Sequence, residues 1–295
     1  MRRVPPSSRH AITLVMTGLA IASLATGCNS QPAQWKLVWQ DEFDGPAGDP
    51  PDPRYWDLDV GGGGWGNSEL QFYTARPENV QLVPTVPGDD GHGYLKITAR
   101  KEQYQGREYT SARVLTRGRF EQALGRWEAR IRLPVGQGLW PAFWMLGASY
   151  SQVGWPACGE IDIMEMRGQE PGIVRGSLHA TGYFGGSAIT APYVCAGPST
   201  CSATSCAPLC PFDADFHVYA VEVEAARIRF EVDGAIYQEV RQDGLALGSS
   251  WPFDHPFFVL LNVAVGGSFV GAPDVATVFP QTMLVDYVRY YRLDP

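Results

Sequence analysis

Short stretches in which apolar and polar residues alternate recur along the second half of this chain. Val218 to Val223 alternates, Arg227 to Val232 alternates again, and Ala235 to Val240 follows after Asp233-Gly234. An Asp-Gly pair between two such runs is the strongest short-range hairpin signal, because both turn residues need positive φ and these types adopt it readily. Phe257 to Val265 is a continuous apolar run broken only by Asn262 and bounded by His255-Pro256 and Gly266-Gly267. It is too short and too rich in branched residues for a helix, and predicts a central strand. Nine Trp, thirteen Tyr and 33 Gly among 295 residues, with no interior linker or repeat, favour strands joined by turns. The expected fold class is all-β, with two packed antiparallel sheets.

One predicted strand breaks the pattern. Gly159-Glu160-Ile161-Asp162-Ile163-Met164-Glu165-Met166 sets three carboxylates among core-type side chains. On a regular strand Glu160 and Asp162 share a face and Glu165 points away. A β-bulge near Ile163-Met164 resets the alternation, so that all three acids line one surface while the apolar residues pack behind. Carboxylates this close cannot all ionise, and at least one pKa rises. One charged and one protonated acid are what a retaining glycosidase requires. The alternatives at this stage are a solvated polar face or a calcium site.

The flanking residues narrow the choice. Gly125-Arg126-Trp127-Glu128-Ala129-Arg130-Ile131-Arg132-Leu133-Pro134, Gly138-Leu139-Trp140-Pro141-Ala142-Phe143-Trp144-Met145-Leu146-Gly147 and Trp155-Pro156-Ala157-Cys158 lead into the acidic strand. Phe216 to Glu222, Leu261 to Gly267 and Asp286 to Tyr291 continue the same pattern downstream. From Trp35 to Leu293 the chain resembles glycoside hydrolase family 16, and its Glu-x-Asp-x-x-Glu spacing is similar to that of laminarinase-type members. The resemblance implies a β-jelly roll with a concave cleft and endo-hydrolysis of β-1,3-glucan with retention. It assigns Glu160 as nucleophile, Glu165 as acid/base and Asp162 as the residue that tunes their pKa values. No cofactor is implied for catalysis. Mixed-linkage β-1,3-1,4-glucan, an agar-type galactan, or glucan binding without catalysis stand as rival readings.

A pyranose has an apolar face and a rim of hydroxyls, so a glycan groove needs aromatic platforms and hydrogen-bonding groups. Trp140 and Trp155 are the candidate platforms by resemblance, and Trp144, on the same face as Trp140, is left between cleft and core. Asn67 and Glu69, after the Gly61-Gly64 run, are candidate hydroxyl binders at the glycone end. His179 is a candidate partner of the substrate or the acid/base. Asn262, an amide inside an apolar strand, either pairs in the core or faces the cleft. The resemblance also implies a structural calcium held by the Asp286 side chain and backbone oxygens of Glu42 and Gly93, with a salt bridge at Asp286 as the alternative.

Cys195, Cys201, Cys206 and Cys210 crowd a Pro-, Ser- and Thr-rich stretch without zinc-ligand spacing, and in an exported chain they predict disulfides with three possible connectivities. Their loop departs from the family's usual length and borders the cleft, which leaves endo against exo action open. Cys158 reads as a buried, inert thiol.

Arg2, Arg3 and Arg9 precede an apolar run from Ala11 to Ala25 that is too short to span a membrane. Residues 1–27 are therefore expected to be a signal peptide, 28–34 a short linker and 35–295 one catalytic domain. Cys28 after small residues is similar to the lipidation site of bacterial lipoproteins, although Ala25 stands where Leu is usual. The expected location is extracellular or on a bacterial cell surface through a lipid anchor, as a monomer. Removing residues 1–27 takes away three Arg and no acid, which moves the formal charge from −8 to −11. That surface repels nucleic acid and leaves a polysaccharide as the expected partner.

Overall fold

The computed structural model describes residues 34–84, 92–195 and 211–294. Its strands run, in order, β1 Trp35–Asp41, β2 Asp57–Asp59, β3 Gln71–Tyr73, β4 Val80–Val83, β5 Tyr94–Tyr104, β6 Arg107–Ser111, β7 Arg113–Leu115 and β8 Gly125–Arg132. They continue with β9 Leu139–Gly147, β10 Glu160–Met166, β11 Ile173–His179, β12 Ile189–Val194, β13 His217–Glu224, β14 Arg227–Val232, β15 Ala235–Arg241, β16 Phe257–Val265 and β17 Gln281–Leu293. Among the described residues no helix is long and apolar enough to cross a membrane.

Two sheets pack face to face as a jelly roll. The larger runs β15-β14-β13-β8-β17-β5-β6-β3, with β1 beside β17 and β4 beside β5. The smaller runs β12-β11-β10-β9-β16-β7-β2 and carries the acids on β10, between β11 and β9. The predicted hairpin joins β14 to β15, with Asp233 at φ 50° and Gly234 at φ 77°. The predicted central strand is β16, buried along its whole length between β9 and β7. Trp127, Ala129 and Ile131 of β8 face Ile161, Ile163, Met164 and Met166 of β10 within one hydrophobic core. Alternate residues of β8 leave that core for the outer face, where Arg126 meets Glu128, Glu222 and Glu231.

Close packing sets where the catalytic strand begins. A Cβ on Gly147, at the end of β9, would lie 1.9 Å from the Cys158 carbonyl oxygen, so only glycine lets that strand run against the approach to β10. Cys158 itself is a buried free thiol. Burial and the neighbouring Glu160 raise its pKa to about 11, which keeps it protonated and inert.

Candidate active site

The bulge falls where the sequence pattern places it. Against β9, Asp162 pairs with Trp144 and Met164 with Phe143, so Ile163 is the extra residue. Against β11, Glu160 opposes His179, Asp162 opposes Ser177 and Glu165 opposes Arg175. Ile163 and Met164 both enter the core, and the extra residue brings Glu165 round to the face of Glu160 and Asp162. Each acid therefore has a polar neighbour across the β10–β11 ladder. The alternation Arg175-x-Ser177-x-His179 was the available sequence signal for that arrangement, and of its three residues only His179 is singled out by sequence reasoning.

His179 stands with Nε2 3.0 Å from Asp162 Oδ2 and 3.8 Å from Glu160 Oε1. Its Nδ1 accepts the Gly185 backbone N–H at 3.0 Å, so in the neutral ring the proton resides on Nε2 and faces the acids. Asp162 Oδ2 is buried and receives no hydrogen bond of good geometry, because the imidazole N–H lies off its line. At the other end of the cluster the Trp140 indole N–H donates to Glu165 Oε1 at 2.8 Å. Trp140 thus orients the Glu165 carboxyl, and its ring is braced by Phe269 at 4.9 Å between centroids.

Burial dominates the electrostatics. It raises Glu165 to about 8, with Asp162 adding to the rise while His179, the Trp140 hydrogen bond and Arg175 oppose it. Burial raises Asp162 to about 8 as well. Glu160 moves well up for the same reason, helped by Asp162 and Glu165 and opposed by His179 and the Trp155 indole. The cluster holds fewer charges than carboxyls at neutral pH, as acid catalysis beside an ionised nucleophile requires.

Asp162 therefore weakens the fold. Its pKa is near 3.8 unfolded and about 8 folded. Stability is fullest below the unfolded value and declines as pH rises towards the folded one. Asp162→Asn keeps the shape without the penalty. We expect the variant to gain about 1–2 kcal/mol at pH 7, a Tm rise of roughly 3–6 °C, with the gain vanishing near pH 4. Its activity should fall away at lower pH on the basic side, since Asp162 helps to hold the proton on Glu165. Thermal melts and pH–rate profiles check both, and a Tm gain equal at pH 4 and pH 7 would contradict this account.

The remaining sequence candidates divide. Trp155 is 43% exposed beside His179, ring centroids 6.0 Å apart, at the Glu160 end of the acid cluster. Asn262 and Trp144 resolve each other, for the Trp144 indole N–H donates to Asn262 Oδ1 at 2.8 Å and gives the buried amide its partner. Asn67 is half-buried on the loop that the β16 end holds, its carbonyl accepting the Ser268 N–H at 2.8 Å. Glu69 corrects the expectation of a hydroxyl binder. It is only 2% exposed and accepts from Gln71 at 2.5 Å and Tyr73 at 3.2 Å, so its carboxylate secures the loop after the glycine run from inside.

Arg113 escaped sequence reasoning. Its guanidinium stacks over Trp65, Tyr73 and Trp144 at 4.7, 4.8 and 5.4 Å and lies 3.7 Å from Glu69, which ties the glycine-rich loop to the cleft floor. The signal was a cation inside an otherwise apolar strand.

Asp286 is buried and makes an ion pair with Arg130 at 2.7 Å, the alternative that the sequence left open. The Glu42 carboxylate accepts two hydrogen bonds from Arg289 at 2.8 and 2.9 Å. Gly93 lies hard against the turn after Glu42, since a Cβ there would be 2.4 Å from the Phe43 carbonyl oxygen. Cys28, Cys201, Cys206 and Cys210 lie outside the described residues, as do residues 1–33.

Known proteins place this architecture. A beta-glucanase of Rhodothermus marinus is 41% identical over 96% of this chain and 94% of its own. The laminarinase catalytic domain of Thermotoga maritima superposes with a TM-score of 0.76 at 43% identity, covering 88% of this chain and 99% of that one. The endo-beta-1,3-glucanase of Pyrococcus furiosus does so with a TM-score of 0.76 at 41% identity, covering 89% and 96%. Residues 85–288 match the sequence pattern of the glycosyl hydrolases family 16, and with the three acids aligned on the bulged strand the chain belongs to that family.

Proposed function

We propose that the protein is a retaining endo-β-1,3-glucanase that hydrolyses laminarin-like glucans. The observation that carries the reading is the bulge at Ile163, which presents Glu160, Asp162 and Glu165 on one face. The laminarinase and endo-β-1,3-glucanase names of the similar structures support the substrate class. Members of this family need no cofactor for hydrolysis.

In this reading each step falls to one side chain. Glu160 attacks the anomeric carbon from the face opposite the leaving group and forms a glycosyl ester, while Glu165 gives its proton to the departing oxygen. Because Glu165 Oε1 accepts from Trp140, the transferable proton resides on Oε2. The ionised Glu165 then takes a proton from water as that water breaks the ester, and the two inversions restore the β configuration.

Incubation with laminarin, mixed-linkage glucan and agarose tests this reading. The expected result is an early fall in laminarin viscosity with mid-sized oligosaccharides and β-anomeric first products. Activity confined to agarose would overturn the substrate and keep the acids in their roles. Binding without reducing-end release would move the protein to the glucan-binding class.

Three finer features are part of the proposal. Export with a lipid on Cys28 is supported by the basic and apolar pattern of residues 1–27. Cross-linking within Cys195–Cys210 is supported by four cysteines crowding one Pro-, Ser- and Thr-rich stretch without zinc-ligand spacing. A structural calcium at Asp286 with the backbone oxygens of Glu42 and Gly93 is supported by β1 pairing Asp41 with Val288 and by the Gly93–Phe43 contact, which bring the three segments to one edge. Arg130 already neutralises Asp286, so the ion would share that carboxylate. Chelation is expected to lower Tm by several degrees, and an unchanged Tm would mean that the Arg130 pair closes this edge alone.

A further inference from the structure

The turn between β11 and β12 carries an aromatic side chain that catalysis does not use. Phe184 is 46% exposed and stands beside Trp155, itself 43% exposed, so two large rings are left in water together. Its exposure comes from a turn held on both sides. The preceding Tyr183 is buried, pairs its backbone with Ala180, and donates its hydroxyl to the Ser250 carbonyl oxygen at 2.8 Å. The following Gly185 gives its N–H to His179 Nδ1 at 3.0 Å. Between these anchors Phe184 is fully extended, at φ −157° and ψ 165°, so its side chain leaves the face that Tyr183 enters.

Phe184 meets another exposed ring. Its centroid is 5.4 Å from that of Trp155 with planes at 81°, and Trp155 in turn lies 6.0 Å from the His179 ring beside Glu160. The two aromatics thus form a corner continuous with the catalytic cleft. Such a corner offers the apolar face of a pyranose a surface that Trp155 alone does not span.

We propose that Phe184 is a substrate-binding residue: with Trp155 it forms an extended aromatic platform that holds a pyranose ring of the glucan at the Glu160 end of the cleft. The inference rests on the glycanase reading above and adds to it a residue that determines affinity for the polymer. The same contact that presents Phe184 also holds His179, so loading the platform and ordering the acids share one turn.

Steady-state kinetics of Phe184→Ala and Phe184→Tyr beside the wild type provide the test, on whichever polysaccharide the wild type hydrolyses. Loss of one aromatic contact is expected to raise KM about three- to tenfold with kcat within about twofold, and Phe184→Tyr should recover most of the affinity. Tm should stay within about 1 °C, because an exposed ring contributes little to the core. An unchanged KM in Phe184→Ala would overturn the proposal, as would an equal loss of kcat accompanied by a lower Tm, which a purely structural role predicts. A wild type silent on every polysaccharide would instead overturn the glycanase reading itself.

Discussion

Glu160→Ala is expected to lower kcat on laminarin at least about ten-thousandfold, and Glu165→Ala about a hundred- to ten-thousandfold, while both proteins remain folded. The two losses differ in kind. In the proposed mechanism, losing Glu160 leaves no side chain to attack the anomeric carbon, whereas without Glu165 the ester still forms when the leaving group needs no proton. Added azide separates the roles. In Glu160→Ala it enters the vacated face and yields an α-glycosyl azide by a single inversion. In Glu165→Ala it attacks the glycosyl-enzyme and yields the β-glycosyl azide by two inversions. NMR of the azide products distinguishes them. Swapped anomers, or wild-type turnover in both variants, would end the assignment. The Glu165 variant should also melt higher at neutral pH, because burial holds the native carboxyl near a pKa of 8 at a cost that Ala does not bear.

The largest effect on stability is expected on the opposite sheet. Arg126 donates to Glu231 at 2.6 Å and to Glu128 at 3.2 and 3.3 Å, and lies 3.5 Å from Glu222. All three carboxylates are largely buried. Glu222 also accepts the Trp35 indole N–H at 2.7 Å and pairs with Arg229, while Glu128 accepts the Tyr291 hydroxyl at 2.8 Å. Arg126 is therefore the guanidinium common to all three acids, with Arg229 sharing Glu222. Arg126→Met keeps the aliphatic stem and removes the charge. It should cost about 3 kcal/mol, or roughly 6–12 °C in Tm at pH 7. The loss should shrink as pH falls and the stranded carboxylates protonate. Activity at low temperature should survive, since the site lies on the other sheet. A Tm change under about 2 °C would show that this network behaves like an exposed ion pair.

The two predictions rest on parts of the chain that differ in how far they can be read locally. Glu160, Asp162 and Glu165 lie within one strand, so period-two alternation and a single bulge are enough to place them on one face. The β14–β15 hairpin was equally legible, because Asp233-Gly234 specifies its own turn. Arg126 and its acids come from three strands, and nothing local says which carboxylate will stand opposite which guanidinium.

The same distinction explains Glu69 and Asn262. Next to a glycine run Glu69 reads as an exposed polar group, but the fold brings Arg113, Gln71 and Tyr73 around it and turns it inward. Asn262 needed a partner, and the partner is Trp144, 118 positions away on the neighbouring strand. Phe184 carried no signal at all, since its exposure follows from the anchoring of Tyr183 and Gly185 on either side.

By itself the sequence determined the all-β class, the central strand at Phe257–Val265, the bulged acidic strand and the chemistry that three crowded carboxylates permit. Each of these follows from side-chain periodicity, turn propensity or the cost of placing like charges together within a few residues. Only the tertiary structure decided that Glu69 turns inward to Gln71 and Tyr73, that Trp140 donates to Glu165, and that Asp286 meets Arg130. Those outcomes depend on strand order and register, which are set by the packing of two whole sheets, and one residue of slip would send every such side chain to the other face.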